Sequence, residues 1–114
     1  MITIFEKFRE IYGISPGDNV LFKHTELKNI MDKARTDIII KVLDLPKNIS
    51  SNELKYKYIP SFFKNKVGKF IDYHHYDDFF GTVEFIFNGK KLELDLPVYM
   101  LITEIEYHSE KYNL

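Results

Sequence analysis

Asn88-Gly89 constrains this chain more than any other pair of residues. A two-residue type I′ hairpin turn needs φ > 0 at both central positions, and Asn-Gly supplies that most readily. Closing the chain there sets Phe85 opposite Leu92 and Val83 opposite Leu94, all on one face. Thr82, Glu84, Lys91, Glu93 and Asp95 fall on the other face, with Ile86 the one apolar exception. A slip of one residue would turn the whole apolar set into water, so turn and alternation specify the same register. Residues 82–96 therefore read as a two-faced antiparallel hairpin with its apolar side on a core.

The remaining elements are read around that hairpin. Residues 4–12 are predicted as a short helix: Thr3 and Glu6 fit a capping box, Ile4/Phe5, Phe8 and Ile11/Tyr12 recur at helical spacing, and Gly13 ends it. Ser15-Pro16-Gly17-Asp18 is a turn that launches a strand over 19–23. Thr25 is placed to cap a second helix bearing Leu27, Ile30, Met31 and Ala34. The β-branched run at 38–43 is expected as a strand, although helical spacing also runs through Ile38 and Val42. Residues 47–65 are a connection with helical fragments, bounded by Ser50/Ser51 and Pro60. A strand through Phe70–Tyr73 leads to a polar-aromatic loop over 74–80, with Gly81 opening the hairpin and Pro97 closing it. Residues 98–106 suit either a helix or a strand. Leu-Asp-Leu-Pro occurs at 43–46 and again at 94–97, and both copies read as strand ends.

These elements make an α+β chain, expected as a strongly bent antiparallel sheet of four to six strands or as a small barrel. At 114 residues it is one domain, 1–114, long enough to bury a core unaided. Its parts are an N-terminal helix (1–14), an inserted helical and connecting region (24–65) and a hairpin-rich part (66–105). A hydrophobic share of 45% against 29% charged excludes a disordered chain. The absence of cysteine excludes disulfides and thiolate metal sites and makes a cytoplasmic home the expectation. The first residues are charged from Glu6 onward and read as neither signal peptide nor membrane anchor.

The net charge of −1 hides a segregation. Residues 1–46 balance seven acids with seven bases. Residues 47–69 set six lysines against Glu53 alone, a net of +5, and residues 70–114 set nine acids against three lysines, a net of −6. Such blocks describe a dipolar molecule suited to a charged partner.

Pro16-Gly17-Asp18-Asn19-Val20, the stretch from Ile59 through Lys66-Val67-Gly68-Lys69 to Ile71, Val83-Glu84-Phe85, and Leu94-Asp95-Leu96-Pro97 with Leu101 together resemble an SH3-like barrel. The spacing is most similar to the barrel of the nitrile hydratase β-subunit, and more loosely to KOW and Tudor-type modules. The resemblance implies that the Gly-Asp turn launches the first strand. It also implies that the Lys-Val-Gly-Lys turn launches a middle strand and that the Pro97 end closes the sheet. The chain differs in having Asn65 where a glycine is usual, and in the insertion before Pro60. The matching positions are turn residues and core apolars, so they imply a fold and no activity.

Two segments are candidates for function. Tyr73, His74, His75, Tyr76, Asp77 and Asp78 combine interface-favoured rings with acids in a loop between strands, and suit a protein partner with a basic surface. Adjacent His74 and His75 point to opposite sides of an extended segment, which argues against a shared metal. His24 and His108 stand isolated and read as ordinary surface histidines. Lys55, Tyr56, Lys57, Tyr58, Lys64 and Lys66 interleave cations with rings, the pattern that neutralises phosphates and stacks on unpaired bases. No nucleophile elbow, phosphate loop or dinucleotide fingerprint is present, so no catalytic residue, metal or cofactor is expected. The expectation is a non-catalytic protein-binding module. An accessory subunit would fit, as would an inhibitor from a phage or mobile element acting on a nucleic-acid-handling protein. Nucleic-acid binding through 55–69 is the alternative, and no membrane association is expected.

Overall fold

Five strands make one antiparallel sheet in the computed structural model, which describes residues 13–74 and 79–112. They are β1 (Asn19–Phe22), β2 (Gly68–Tyr73), β3 (Phe80–Phe87), β4 (Lys90–Pro97) and β5 (Leu101–Thr103), in the spatial order β4-β3-β2-β1-β5. The helix expected at 4–12 lies outside the described residues. The hairpin forms in the register its turn dictates, with Phe85 opposite Leu92 and Val83 opposite Leu94. Asn88 and Gly89 take φ of 50° and 81°, as a type I′ turn requires. Val83, Phe85, Leu92 and Leu94 are all buried, and Ile86 is the apolar residue left exposed.

β2 does not keep strict alternation. Its pairing with β3 shifts between Phe70 and Asp72, so Ile71 bulges outward and Phe70 and Tyr73 both face the core. Gly81 stands at the open end of the hairpin, opposite Leu96, and also lies inside the β2–β3 ladder, opposite Tyr73. A Cβ there would lie 2.4 Å from the ring of Phe70, so only glycine lets that ring cross the strand.

The insertion between β1 and β2 is helical throughout its ordered elements. A 3-10 helix, His24–Ile30, buries Leu27 and Ile30. It starts without a side-chain cap, so Thr25 does not cap it. Helix α1 (Lys33–Val42) follows, and the strand expected over 38–43 is replaced by its second half. Asp32 caps α1 by accepting from the Ala34 N–H at 2.9 Å, and Asp44 ends it with a left-handed φ of 53°. Those end signals outweigh the β-branched content of Ile38-Ile39-Ile40, of which only Ile39 is fully buried. The first Leu-Asp-Leu-Pro therefore ends a helix, and only the second ends a strand. A further helix over residues 51–63 (α2) begins with Ser50 accepting from the Glu53 N–H and runs as Ser51–Glu53, Leu54–Tyr58 and Ile59–Phe63. After β4 the chain satisfies both readings of 98–106 in turn. It makes a 3-10 turn (Val98–Met100), then β5, then helix α3 (Glu104–Tyr112), with Thr103 accepting from the Glu106 N–H.

The sheet stays open: among the described residues β4 and β5 are its edges and do not pair. The closed barrel is thus not formed. β1 and β5 are only four and three residues long, and α1 lies along β4, where Arg35 donates to the Asp95 carbonyl at 3.1 Å. The core sits between sheet and helices. Phe63 of α2 packs edge-on against Phe22, Phe85 and Phe87 with ring centroids 5.6, 5.4 and 5.4 Å away, and Phe22 stacks on Phe85 at 5.6 Å. Among the described residues no helix is long and apolar enough to cross a membrane.

Phe85 touches both Phe22 and Phe63 and is wholly buried. Phe85→Ala is expected to lower the free energy of unfolding by about 3–5 kcal/mol, as ring-sized cavities do. Denaturant titration measures it, and a near-neutral substitution would contradict this packing.

Candidate functional site

Pro60 shapes the ground on which the site stands. Lacking an N–H, it cannot donate to the carbonyl four residues back, and its ring crowds that same carbonyl, which belongs to Tyr56. The helix widens in response: Ile59 N–H donates to the Leu54 carbonyl five residues back, and Leu54–Tyr58 becomes a π-segment. Leu54 and Ile59 stay buried, while Tyr56 is left 69% exposed.

The 3-10 helix His24–Ile30 faces this segment across an open groove of about 680 Å³. Leu27 and Pro60 supply apolar lining, and Lys28, Lys55 and Lys64 supply positive charge. Among the described residues none of the three lysines forms an ion pair. Lys55 Nζ lies 5.3 Å from the Tyr56 ring centroid, a cation–π arrangement on an exposed ring. His24 and Thr25 complete the wall. The two walls are tied through α3, because the Tyr107 hydroxyl donates to Asn65 Oδ1 and lies 3.2 Å from His24 Nε2. Asn65 directly follows Lys64 and has a left-handed φ of 62°, a conformation asparagine tolerates and in which a glycine would be at ease.

The six residues of the Lys/aromatic segment do not form one surface. Lys55, Tyr56 and Lys64 line the groove. Lys57 stands over Tyr58, which is half-buried against the core, and Lys66 lies over Phe87 with its Nζ 4.6 Å from the ring centroid. His24 and Lys28 replace them in the site. Nothing in local spacing links 24–28 to 55–64, and His24, read as isolated, is hydrogen-bonded to α3.

The acidic loop divides differently. Tyr73 is 6% exposed, packs on Phe70 at 4.8 Å, and donates its hydroxyl to the Ile14 carbonyl at 2.6 Å. It belongs to the core because the β2 bulge turned it inward, which takes it out of any contact surface. His74 is half-buried, with Nε2 2.9 Å from Asp95 Oδ1, an oxygen that also accepts from Thr82. His75, Tyr76, Asp77 and Asp78 lie outside the described residues. Among the described residues no three His, Asp or Glu side chains are gathered as a metal would require.

No protein-family model matches the chain, and neither a curated protein nor a solved structure matches it.

Asn65→Gly and Asn65→Ala both remove the amide that Tyr107 addresses, but only alanine bears the cost of φ 62°. The alanine variant is expected to be less stable than the glycine variant by about 1 kcal/mol. Equal midpoints and slopes in denaturant would mean that the turn after α2 relaxes to an ordinary φ.

Proposed function

We propose that this chain is a non-catalytic binding module that holds single-stranded nucleic acid in the groove between the 3-10 helix and α2. The observation that carries the proposal is convergence. Three lysines that form no ion pair among the described residues and one exposed tyrosine ring come from 24–28 and 55–64 into a single groove. Lysines there neutralise phosphates and release counterions, and a ring open to solvent stacks on an unpaired base. A duplex hides its base faces, so Tyr56 favours a single strand. The acidic residues Glu84, Glu93 and Asp95 on the outer face of β3 and β4 would repel phosphate and direct the ligand to the groove side.

The scaffold for this site is best understood as an SH3-like sheet opened by its helical insertion. Supporting that view, β1 follows the Gly17-Asp18 turn, β2 begins at Gly68, Val83 and Phe85 sit inward on β3, and the chain from Pro97 leads into β5 beside β1.

The test is fluorescence anisotropy of a labelled oligonucleotide against the full chain at several salt concentrations. Replacing Lys28, Lys55 and Lys64 by Ala is expected to flatten the log–log salt slope by about 2, near 0.7 per lost single-strand phosphate contact. Tyr56→Ala is expected to cost about 1–3 kcal/mol of binding. Binding that survives the triple replacement with its slope intact would remove the groove as the site.

A second function, capture of a protein with a basic surface, draws support from the opposite pole. The aromatic-acidic loop leaves β2 beside the Asp95 carboxylate that His74 and Thr82 share. An accessory subunit, or a phage or mobile-element inhibitor of a nucleic-acid-handling protein, would use such a surface. Tyr76 and Asp77 replaced together by Ala are then expected to weaken the native partner by more than about 2 kcal/mol. Melting temperature should be unchanged, and a double variant that unfolds would assign the loop to the core.

A further inference from the structure

Tyr107 has one hydroxyl proton and, among the described residues, two polar neighbours of its hydroxyl. It donates that proton to Asn65 Oδ1, an oxygen that can only accept. The contact with His24 Nε2 at 3.2 Å then has one consistent sense: His24 Nε2–H donates and the tyrosine oxygen accepts. A neutral imidazole protonated at Nε2 carries its lone pair on Nδ1. Nδ1 has no hydrogen-bond partner among the described residues, and the ring lines the groove. The lysines of the groove are donors only, and the Thr25 hydroxyl serves in either sense.

We propose that the Asn65–Tyr107–His24 chain holds His24 in its Nε2–H tautomer, giving the groove an acceptor at Nδ1 that selects nucleobases carrying an exocyclic amino group. That selectivity rests on the nucleic-acid function proposed above and gives it a ligand class. Phosphate contacts and stacking on Tyr56 are indifferent to base identity. A lone acceptor is not. Cytosine offers its N4 amino group at the open edge of the ring. The donor of thymine, N3–H, lies between two carbonyl oxygens whose lone pairs repel an approaching imidazole nitrogen. Tyr107 is on this account a positioning residue: it touches no ligand and acts through the ring it orients.

The test has two arms. Long-range 15N–1H spectra of the free full-length chain read the His24 tautomer directly, with no ligand present. Nε2–H is expected in the wild type, and a mixture of tautomers in Tyr107→Phe, which keeps the ring and loses the hydroxyl. Asn65→Gly removes the acceptor at the other end and serves if the phenylalanine variant fails to fold. In the second arm, oligo(dC) is expected to bind about three- to tenfold more tightly than oligo(dT) of equal length, the worth of one net hydrogen bond. That preference should vanish in either variant while the melting temperature and the salt slope hold. An Nδ1–H tautomer, or the same mixture in wild type and variants, overturns the inference whatever binds. The stated tautomer with equal affinity for both oligonucleotides overturns the base selectivity alone. The stated tautomer with no binding of either overturns the nucleic-acid function itself, and with it the ligand class.

Discussion

The docking of Phe63 against the apolar face of the sheet is the interaction on which the rest of the structure depends. Its ring is fully buried and meets β1 through Phe22 and β3 through Phe85 and Phe87. Aromatic contacts of this edge-on kind add to the burial of a large apolar surface. One side chain thereby fixes both the position and the rotation of α2. The rotation matters because it turns the π-widened segment ahead of Pro60 outward and toward the 3-10 helix. That helix is in turn seated by the buried Leu27 and Ile30. The groove is therefore a by-product of core packing, with its walls set by residues anchored in the core, of which Leu27 also lines it.

How legible this was from sequence varies by element, and the differences have physical causes. The hairpin was readable because two short-range signals, a left-handed turn pair and a period-two alternation, agreed on one register. The run at 38–43 is a helix although its β-branched content speaks for a strand. The decisive residues, Asp32 and Asp44, act only at the ends of α1. The two Leu-Asp-Leu-Pro copies make the same point: one tetrapeptide ends a helix at 43–46 and a strand at 94–97, so context decides. Tyr73 escaped because a bulge of one residue reverses the inward-outward alternation, and nothing in Phe70-Ile71-Asp72-Tyr73 announces it. One wall of the candidate groove, with Lys55, Tyr56 and Lys64, lies in a segment whose interleaved lysines and rings are visible in the sequence. The other wall, with His24 and Lys28, is brought there by tertiary folding alone, which no local pattern encodes.

Part of the charge segregation seen along the chain maps onto separate elements. Lysines gather on the side of α2. On the outer sheet face Glu84 and Glu93 sit directly opposite each other, an arrangement that repels unless it is relieved. Lys91 stands 3.5 Å from one and 4.0 Å from the other and supplies that relief. Exposed pairs of this kind contribute little to folding stability. Their role is local: they ease the repulsion between two carboxylates that the register sets face to face.

An open sheet carries a hazard that a closed one avoids: its edge is a template for another strand. In β4 the backbone groups of Lys91, Glu93 and Asp95 alternate with those bonded to β3 and so face outward. The Asp95 carbonyl is already taken by the Arg35 guanidinium, which also grips the Ile30 carbonyl at 2.9 Å. Pro97 offers no N–H at the next outward position, and the side chains between are charged. Among the described residues these features shorten the stretch of edge open to another strand, and Arg35 contributes by occupying one of its carbonyls. One guanidinium thus joins the end of the 3-10 helix to the edge of the sheet and takes up a carbonyl that a strand would otherwise need.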